Sequence, residues 1–447
     1  MTTYPPDSDR KTLHRAIAAA AIGNFVTWFD FATYGFLALI ISEVFFPAGN
    51  PALSLLSTFA IFGVAFLMEP VGAFVFGRLG DTMGRKTILA TVIIMMSAAT
   101  FIVGLLPGYA QIGVTAPILL LIVRLLQGFA AGGEPGGAAT FLVESAQPER
   151  RARTVSVWHC SSYLSNVGAS LLILGLYAVL SDEQMHAWGW RVPFLIAAPI
   201  GVIGLIIRLK LSDTPEFEKM KSEGSLSESP LREVLTVNRR QVLQVIGCSA
   251  FQYAAFYFVF IYMETYLKSE LAFSSTAASM STVACLVIAS ISIFGFARIC
   301  DRVGRKPILR WAMIICIVLT FPVFLLINSG SVPLAIVGHV ALGVPLAMFM
   351  SASGSAMVEI FPARVRYTGF SVGFNVAGAL FGGTVAYAAT LLISLTGSSL
   401  SPSAIIIATA LIALVAVATM KETAGPRREV GEGQHREPAA APAGDTQ

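Results

Sequence analysis

The sequence is short of charge. Asp, Glu, Lys and Arg make up only 13% of its 447 residues, whereas soluble globular domains carry about 25%. Hydrophobic residues make up 55%, so a soluble globular protein is excluded. The net charge of +4 belongs to a mainly apolar chain, and we expect no nucleic-acid partner.

Cysteine is also scarce, and the five that occur show no paired spacing. All five fall in or beside apolar segments, which argues against a disulfide framework and a zinc site. We expect no metal ion. A secretory signal peptide is excluded as well, because the first apolar segment is longer than the core of such a peptide, about 7–15 residues. We expect this segment to remain in the protein as a membrane anchor.

Long apolar stretches take the place of the missing charge. A membrane-spanning helix needs about 20 mostly apolar residues, and the chain contains twelve such stretches. We therefore predict an all-α transmembrane protein with twelve helical segments, at residues 16–41, 54–77, 87–107, 117–142, 154–180, 191–209, 241–267, 275–297, 307–328, 332–356, 367–393 and 402–420.

Polar stretches divide the chain into five regions. Residues 1–15 form a predicted N-terminal segment, and residues 16–209 a bundle of six helices. The longest polar interruption, residues 210–240, is a predicted central loop, and residues 241–420 form a second six-helix bundle. Residues 421–447 are rich in Pro, Ala, Gly and Glu, a composition typical of a disordered tail.

The basic residues predict the orientation in the membrane. With the N-terminus inside, 27 of the 30 Lys and Arg residues lie on the cytoplasmic side. Only Arg191 and Lys268 lie in the outer loops, and Arg124 lies within segment 4. Since cytoplasmic loops carry an excess of Lys and Arg, we predict a multi-pass protein of the cell membrane with both termini in the cytoplasm.

The chain contains an internal repeat. The charged stretch Gly77–Lys86, between segments 2 and 3, returns as Ala297–Lys306 between segments 8 and 9, with five of ten positions identical at an offset of 220 residues. Glu144, at the end of segment 4, is matched by Glu359 at the end of segment 10. Two matched landmarks indicate two copies of one six-helix unit. Their charges suit helix ends and ion pairs across the interface between the halves.

Further runs of sequence carry a family resemblance. They are Gly23–Val26 with Trp28–Phe31, Arg124–Phe129 leading to Gly132–Glu134, Trp188–Phe194, Thr214–Phe217 and Phe361–Gly369. Together with Gly77–Lys86 they resemble the major facilitator superfamily. More narrowly, they resemble its metabolite:proton symporters, which include proline/betaine, shikimate, citrate and 2-oxoglutarate carriers.

The resemblance implies the major facilitator fold, in which two pseudo-symmetric six-helix bundles rock around a central site. It also implies a cytoplasmic gate formed by the repeated charged stretches. The expected gate residues are Gly77, Arg78, Asp81, Gly84, Arg85 and Glu144, with their counterparts Arg298, Asp301, Arg305 and Glu359. Three positions depart from the pattern of the group. Thr27 stands where the group typically has an acidic residue. Glu69, just before the proline of segment 2, stands where the group typically has an arginine, and Pro135, just after Glu134, stands where an aromatic residue is common.

Ionisable residues inside a membrane are costly, so each is a functional candidate. From the rise of about 1.5 Å per residue, Asp30 and Arg124 reach the same depth. The resemblance to sugar–proton carriers implies that Asp30 binds the proton and that Arg124 modulates it; the alternative is a permanent structural ion pair. Glu69 and Glu134 lie nearer the cytoplasm, where each could relay a proton or pair with loop arginines.

Aromatic and amide residues complete the candidate substrate site. Tyr253 and Tyr257 share one face of segment 7, and with Trp28 and Tyr34 of segment 1 they could hold a cation. The alternative for these rings is lipid-facing bulk. We predict further polar contacts from Asn375 and Gln127, and a contact from Arg124 to a carboxylate of the substrate.

These observations predict a secondary transporter rather than an enzyme, which would need a positioned catalytic set. We expect proton-coupled uptake of a small carboxylate-bearing metabolite, driven by the proton gradient without a cofactor. A zwitterionic osmolyte such as proline or betaine suits a single buried arginine best. A mono- or dicarboxylic acid is the alternative, and a proton-antiporting drug exporter is a more distant one. The expected partners are the substrate, protons and the lipid bilayer, and the expected state is a monomer.

Overall fold

The structure, a computed structural model, describes residues 8–46, 50–83, 85–209, 230–362 and 365–424. Within these ranges the side chains of residues 8–16, 19–20, 77–89, 141, 145, 207–209 and 230 are not described. All regular structure in the described ranges is helical.

Twelve helices, α1 to α12, follow one another along the chain. The first half contains α1 (Ser8–Phe36, continued by Ala38–Phe45), α2 (Pro51–Met83), α3 (Arg85–Leu105), α4 (Thr115–Ala131, continued by Pro135–Ser145), α5 (Arg151–Val179) and α6 (Arg191–Leu209). The second half contains α7 (Arg239–Tyr257, Phe258–Tyr262 and Met263–Ser269), α8 (Ser275–Val303), α9 (Arg305–Ile327), α10 (Val332–Glu359), α11 (Arg366–Ala377, Gly378–Gly382 and Thr384–Thr396) and α12 (Ser403–Thr419).

Length and hydropathy qualify these helices as membrane spans. Eight of them, in the described part of the chain, are apolar for at least 18 residues. Two more, α1 and α6, each lie in a bent pair of helices, with bends of 66° and 44°. The apolar parts of α3 and α12 are shorter, Ala90–Leu105 and Ser403–Thr419. Together these account for the twelve predicted segments, and the predicted all-α, twelve-helix fold is confirmed.

The regions between and after the halves are described in part. Residues 210–229 of the predicted central loop and residues 425–447 of the predicted tail lie outside the described ranges. A short helix, Pro230–Thr236, precedes α7. At the start of the tail, the Glu422 carboxylate accepts hydrogen bonds from the backbone N–H groups of Arg305 and Lys306, both at 2.9 Å. Such bonds satisfy the free N–H groups at the start of α9.

Three helices are interrupted near their middles. In α4, residues 132–134 separate two helical parts, because Pro135 lacks an N–H group and its ring clashes with the preceding turn. In α7 and α11 the interruptions are π-helical turns, Phe258–Tyr262 and Gly378–Gly382. Turns of this kind are frequent at functional sites.

Helices α2 and α4 are in backbone contact. A Cβ atom at Gly128 would overlap the Ala65 carbonyl group, and one at Gly132 would overlap the Glu69 carbonyl oxygen. Glycines at such a crossing let two membrane helices approach closely. The contact holds Glu69 of α2 and Arg124 of α4 in fixed relative positions.

We expect Gly128→Ala to lower the thermal unfolding midpoint of the purified protein, because its Cβ forces α2 and α4 apart. Overpacking of this kind costs about 1–3 kcal/mol. Gly175→Ala on α5 is the matched control, since nothing lies within 4 Å of a Cβ atom at that position. There the midpoint should stay or rise slightly, because alanine favours helix. Equal behaviour of the two variants would contradict the packing described.

Candidate functional site

A buried polar cluster joins α1, α3 and α4. Arg124 Nη1 lies 3.0 Å from Asp30 Oδ2. Oδ1 of the same carboxylate accepts hydrogen bonds from Thr100 at 2.7 Å and from Gln127 Nε2 at 2.6 Å. All four side chains are at least nine-tenths buried. Charged groups persist in such surroundings only when they are paired and hydrogen-bonded, and this cluster meets that condition at Asp30.

The Arg124 guanidinium is only partly satisfied. Nη1 serves both Asp30 and Gln127, the latter at 2.9 Å, but Nε and Nη2 are buried and have no hydrogen-bond partner in the described structure. The guanidinium lies 4.3 Å from the Tyr34 ring centroid and 5.3 Å from that of Phe31. Ring faces attract a cation but accept no strong N–H bond. Arg124 therefore keeps donor capacity for a ligand, whereas the Tyr34 hydroxyl is used by the Thr58 carbonyl.

A small cavity lies beside this cluster, between the two halves. It offers about 30 Å³ to the centres of water molecules, which is room for one or two waters. Its lining combines residues of α1, α2, α4, α5, α7 and α11, and it includes the carboxylates Glu69 and Glu134 and the rings of Trp28, Phe31, Trp158, Tyr253, Tyr257 and Phe374. A cavity of this size has to widen before it can hold a metabolite.

The two carboxylates of the cavity differ in their partners. Glu134 accepts a hydrogen bond from Thr27 and has a further interaction. Thr27, where the family resemblance leads one to expect an acid, thus serves as a donor to a neighbouring acid. Glu69 is 5% exposed, and it makes no hydrogen bond or ion pair with any residue that the structure describes.

The aromatic residues of α7 face the protein interior. Tyr253 and Tyr257 are 4% and 2% exposed, so the lipid-facing alternative does not apply to them. Their rings are parallel, with centroids 6.3 Å apart, and the Trp28 ring lies 5.7 Å from that of Tyr257. The predicted contribution of α1 and α7 to one cavity is present in this geometry; its role in binding stays a prediction.

Other candidate residues lie outside the cavity. Asn375 is buried, its amide donates to the Ser371 carbonyl of its own helix at 2.8 Å, and its Oδ1 has no partner among the described residues. The described residues that line the cavity do not include Gln127, Arg124 or Tyr34. No pattern in the sequence indicated a role for Thr100, Trp158 or Phe374. Trp158 carries a buried indole N–H without a partner in the described chain, which no spacing in the sequence indicates.

Ion pairs join the two halves at the end of the bundle where α5 begins and α12 ends, which we call the terminal face. Asp301 of α8 accepts hydrogen bonds from Arg153 Nε at 2.9 Å and from the Ala152 N–H at 3.0 Å. Glu359 of α10 lies 3.5 Å from Arg151 and 3.3 Å from Arg305. Both of these acids, which belong to the second half, thus bind residues at the start of α5.

The first half contributes one acid to the same face. Glu144 of α4 lies 3.5 Å from Arg366 of α11. Arg298, another predicted gate residue, is exposed and forms no ion pair with the described residues. Gly84 and the side chains of Arg78, Asp81 and Arg85, together with the surroundings of Gly77, lie outside the described part, so their predicted gate role stays a prediction.

Contacts between the halves also lie beyond the cavity, at the opposite end. Lys268 of α7 lies 5.2 Å from the ring centroid of Tyr177 on α5. Lys268 also pairs with Glu264 at 2.7 Å, a carboxylate that is 1% exposed. The cavity is therefore enclosed between contacts on both sides.

We expect Asp301→Asn to weaken the closure of the terminal face, because it removes the charge that binds Arg153 and the start of α5. A loss of about 1.4 kcal/mol lowers the ratio of closed to open molecules about tenfold. Spin labels at Glu149 and Val303, both exposed and on opposite halves, would report this as a longer distance distribution. Arg302→Gln, at an exposed neighbour, is the control. Unchanged distances in the Asp301 variant would show that these pairs do not hold the halves together.

The architecture and the site define a class of protein. Two six-helix halves, ion pairs that close one end, and a buried polar site between the halves are the features of a secondary transporter that works by alternating access. The chain belongs to the Major Facilitator Superfamily, which matches residues 20–382 and 245–443.

Relatives cover most of the chain. It is 35% identical over 428 residues to the proline/betaine transporter of Salmonella typhimurium (strain LT2), which corresponds to 93% of this chain and 85% of that protein. The glycine betaine/proline/ectoine/pipecolic acid transporter OusA of Dickeya dadantii is 35% identical over 427 residues, with the same coverage.

Solved structures share the fold at low identity. The proton:xylose symporter XylE bound to 6-bromo-6-deoxy-D-glucose has a TM-score of 0.75 and 14% identity, over 93% of this chain and 97% of that one. A partially occluded inward-open conformation of the E. coli xylose transporter XylE has a TM-score of 0.73 and 15% identity, over 93% and 99%.

Proposed function

We propose that the protein is a proton-coupled symporter that takes up a small zwitterionic osmolyte such as proline or glycine betaine. The names of its relatives support the substrate class, since the transporters that are 35% identical are named for proline and betaine. The proton gradient supplies the driving force, and no cofactor takes part.

The observation that carries the proposal is the state of Arg124. A fully buried guanidinium has two nitrogens, Nε and Nη2, whose N–H groups find no partner among the described residues, next to the cavity wall formed by Phe31. A carboxylate is the group that such a fork of donors binds most strongly. A single arginine suits a substrate with one carboxylate.

Coupling follows from competition for Arg124. In the closed structure the Asp30 carboxyl group is bound by the guanidinium, Thr100 and Gln127. When the substrate carboxylate draws the guanidinium toward the cavity, Asp30 is left buried without its cation, and a buried carboxylate without a cation takes up a proton. Release of substrate returns the guanidinium to Asp30 and expels the proton. Substrate and proton therefore cross the membrane together.

The position in the membrane follows from the charge distribution. We place the protein in the cell membrane with both termini in the cytoplasm, because 27 of 30 basic residues then lie inside. We propose separately that it works as a monomer. The terminal face is then the cytoplasmic gate. Its ion pairs, led by Arg153–Asp301, hold the cavity closed to the cytoplasm while the opposite end opens to receive substrate.

A mono- or dicarboxylic acid is the second candidate, because Arg124 would bind its carboxylate equally well. A second carboxylate has no counter-charge, since no Lys or Arg is among the residues that line the described cavity. Glu69 and Glu134 would repel it. These acids favour a substrate with a positive end.

Uptake by reconstituted vesicles tests the proposal. Labelled proline, glycine betaine, shikimate and 2-oxoglutarate should be compared with and without an imposed pH gradient, acidic outside. We expect gradient-dependent accumulation of proline or betaine and little of the dianion. Accumulation of 2-oxoglutarate instead would favour the second candidate, and gradient-driven extrusion of a lipophilic cation would make the protein an exporter.

A further inference from the structure

Glu69 is a buried acid that has no partner among the residues that the structure describes. It lies on α2 immediately before Pro70, it is 5% exposed, and it lines the cavity. Burying a carboxylate that nothing neutralises is costly, and proteins keep such groups where a ligand or a proton will meet them.

Glu69 reaches across the interface between the halves. A Cβ atom at Gly378 on α11 would lie 2.8 Å from Glu69 Oε2 and 3.1 Å from the Tyr253 hydroxyl. Because Gly378 of the second half has no side chain, the Glu69 carboxylate of the first half has room at this point. Gly378 begins the π-helical turn of α11, so the backbone at this point is shaped around the acid.

The walls around Glu69 are aromatic. Tyr253, Tyr257 and Trp28 line the same cavity and lie in a stacked row, with interplanar angles of 3° between the tyrosines and 28° between Tyr257 and Trp28. Ring faces attract cations, most strongly when water is excluded. Glu134, the other acid of the cavity, is already held by Thr27, which leaves Glu69 as the acid that has no described partner.

We propose that Glu69 and the faces of Tyr253, Tyr257 and Trp28 form a subsite for the positively charged nitrogen of the substrate, and that this subsite selects cationic nitrogen over a neutral group of the same shape. The proposal rests on the proposed function, which it deepens. Arg124 and Glu69 then form two poles. The guanidinium lies 5.3 Å from the Phe31 ring, and Phe31 lines the same cavity as Glu69. A zwitterion has the matching pair of charges.

A pair of ligands with equal shape tests the subsite. Glycine betaine has a cationic quaternary nitrogen where 3,3-dimethylbutanoate has a neutral quaternary carbon, and the two are otherwise alike. Both carry a carboxylate for Arg124. Binding to the full-length protein is measured by competition against labelled proline or betaine. We expect the wild type to prefer betaine, and Glu69→Gln to lower that preference about 10- to 100-fold by weakening betaine alone.

Two further variants separate the subsite from general damage. Glu264→Gln makes the same chemical change at a buried acid of α7 that is bonded to Lys268 and Ser279 outside the cavity, and it should keep the wild-type preference. Gly378→Ala changes no charge but displaces the Glu69 carboxylate, and it should lower the preference as Glu69→Gln does. This second variant keeps the proposal testable if Glu69→Gln fails to fold.

The outcomes are distinct for the two proposals. In one outcome the wild type binds betaine over its neutral analogue and Glu69→Gln keeps the same preference. This result overturns the subsite and leaves the proposed function standing. If Glu69→Gln does not fold, an unchanged preference in Gly378→Ala has the same meaning. A wild type that binds neither ligand overturns the proposed function, and the subsite with it.

Discussion

Asp30→Asn should abolish proton-driven accumulation of substrate while exchange of internal for external substrate continues. The asparagine has the same shape: its amide oxygen takes the place of Oδ2 and accepts from Arg124. Its NH2 group takes the place of Oδ1 and donates to the Thr100 hydroxyl, so the cluster of α1, α3 and α4 keeps its geometry. The asparagine cannot take up a proton, so the cycle loses the step in which residue 30 is protonated when the Arg124 guanidinium leaves it. Accumulation should fall to passive equilibration, measured as uptake under a pH gradient beside counterflow without one.

Thr100→Val is the matched control for this prediction. It removes the 2.7 Å hydrogen bond to Asp30 at nearly constant side-chain volume and leaves the carboxylate and Arg124 in place. A hydrogen bond to a charged group contributes about 1.5–3 kcal/mol, so uptake should weaken while remaining driven by the pH gradient. If Asp30→Asn accumulates substrate as the wild type does, Asp30 is not the proton-binding group.

Arg124→Gln should have the second large effect, a loss of substrate binding by about 100-fold or more. A hydrogen bond to a charged group contributes about 1.5–3 kcal/mol, and the substrate carboxylate would lose both the charge and the fork of donors. Arg124→Lys keeps the charge but offers a point donor in place of a planar fork, and we expect partial binding. Affinities measured by competition in detergent or vesicles would separate the three proteins.

The double variant Asp30→Asn/Arg124→Gln separates binding from structural support. Removing only Arg124 leaves Asp30 buried without a counter-charge, a change that costs about 3–5 kcal/mol of stability. The double variant removes both charges and should regain much of the unfolding midpoint without regaining transport. Recovery of transport together with stability would identify the pair as structural and end its role in coupling.

The helices could be predicted from the sequence because the bilayer imposes them. Twelve apolar stretches of sufficient length leave few alternatives, and the repeat of Gly77–Lys86 at Ala297–Lys306 divides them into two halves. The bend at Leu37 in α1 and the π-helical turns of α7 and α11 were not predictable, since no proline marks them. They depend on packing between helices that are distant in sequence.

The polar cluster was predictable in outline. Equal depth in the membrane placed Asp30 beside Arg124, and the structure has them in direct contact. Thr100 was not identified, because a threonine in an apolar helix is ordinary and only the rotation of α3 directs it to Asp30. The contacts of Glu69 could not be predicted from the sequence for a similar reason. They depend on Gly378 of the other half, and no spacing along the chain relates the two positions.

The gate illustrates the same limit. The repeated charges indicated ion pairs across the interface, and Asp301, Glu359 and Glu144 do form them. Their partners on the opposite half, Arg153, Arg151 and Arg366, were recognisable only as neighbouring basic residues. The choice of partner follows from how the halves meet, which is a property of the folded protein.

Proton movement measured without any imposed gradient tests the central claim most directly. Wild-type protein in lightly buffered vesicles that contain a pH-sensitive dye is given glycine betaine or proline on the outside. Coupled entry of substrate and proton should acidify the lumen, a protonophore should abolish the signal, and Asp30→Asn should take part in exchange without it. Entry of labelled betaine into the wild-type vesicles with no change in internal pH would contradict the proton-coupled mechanism.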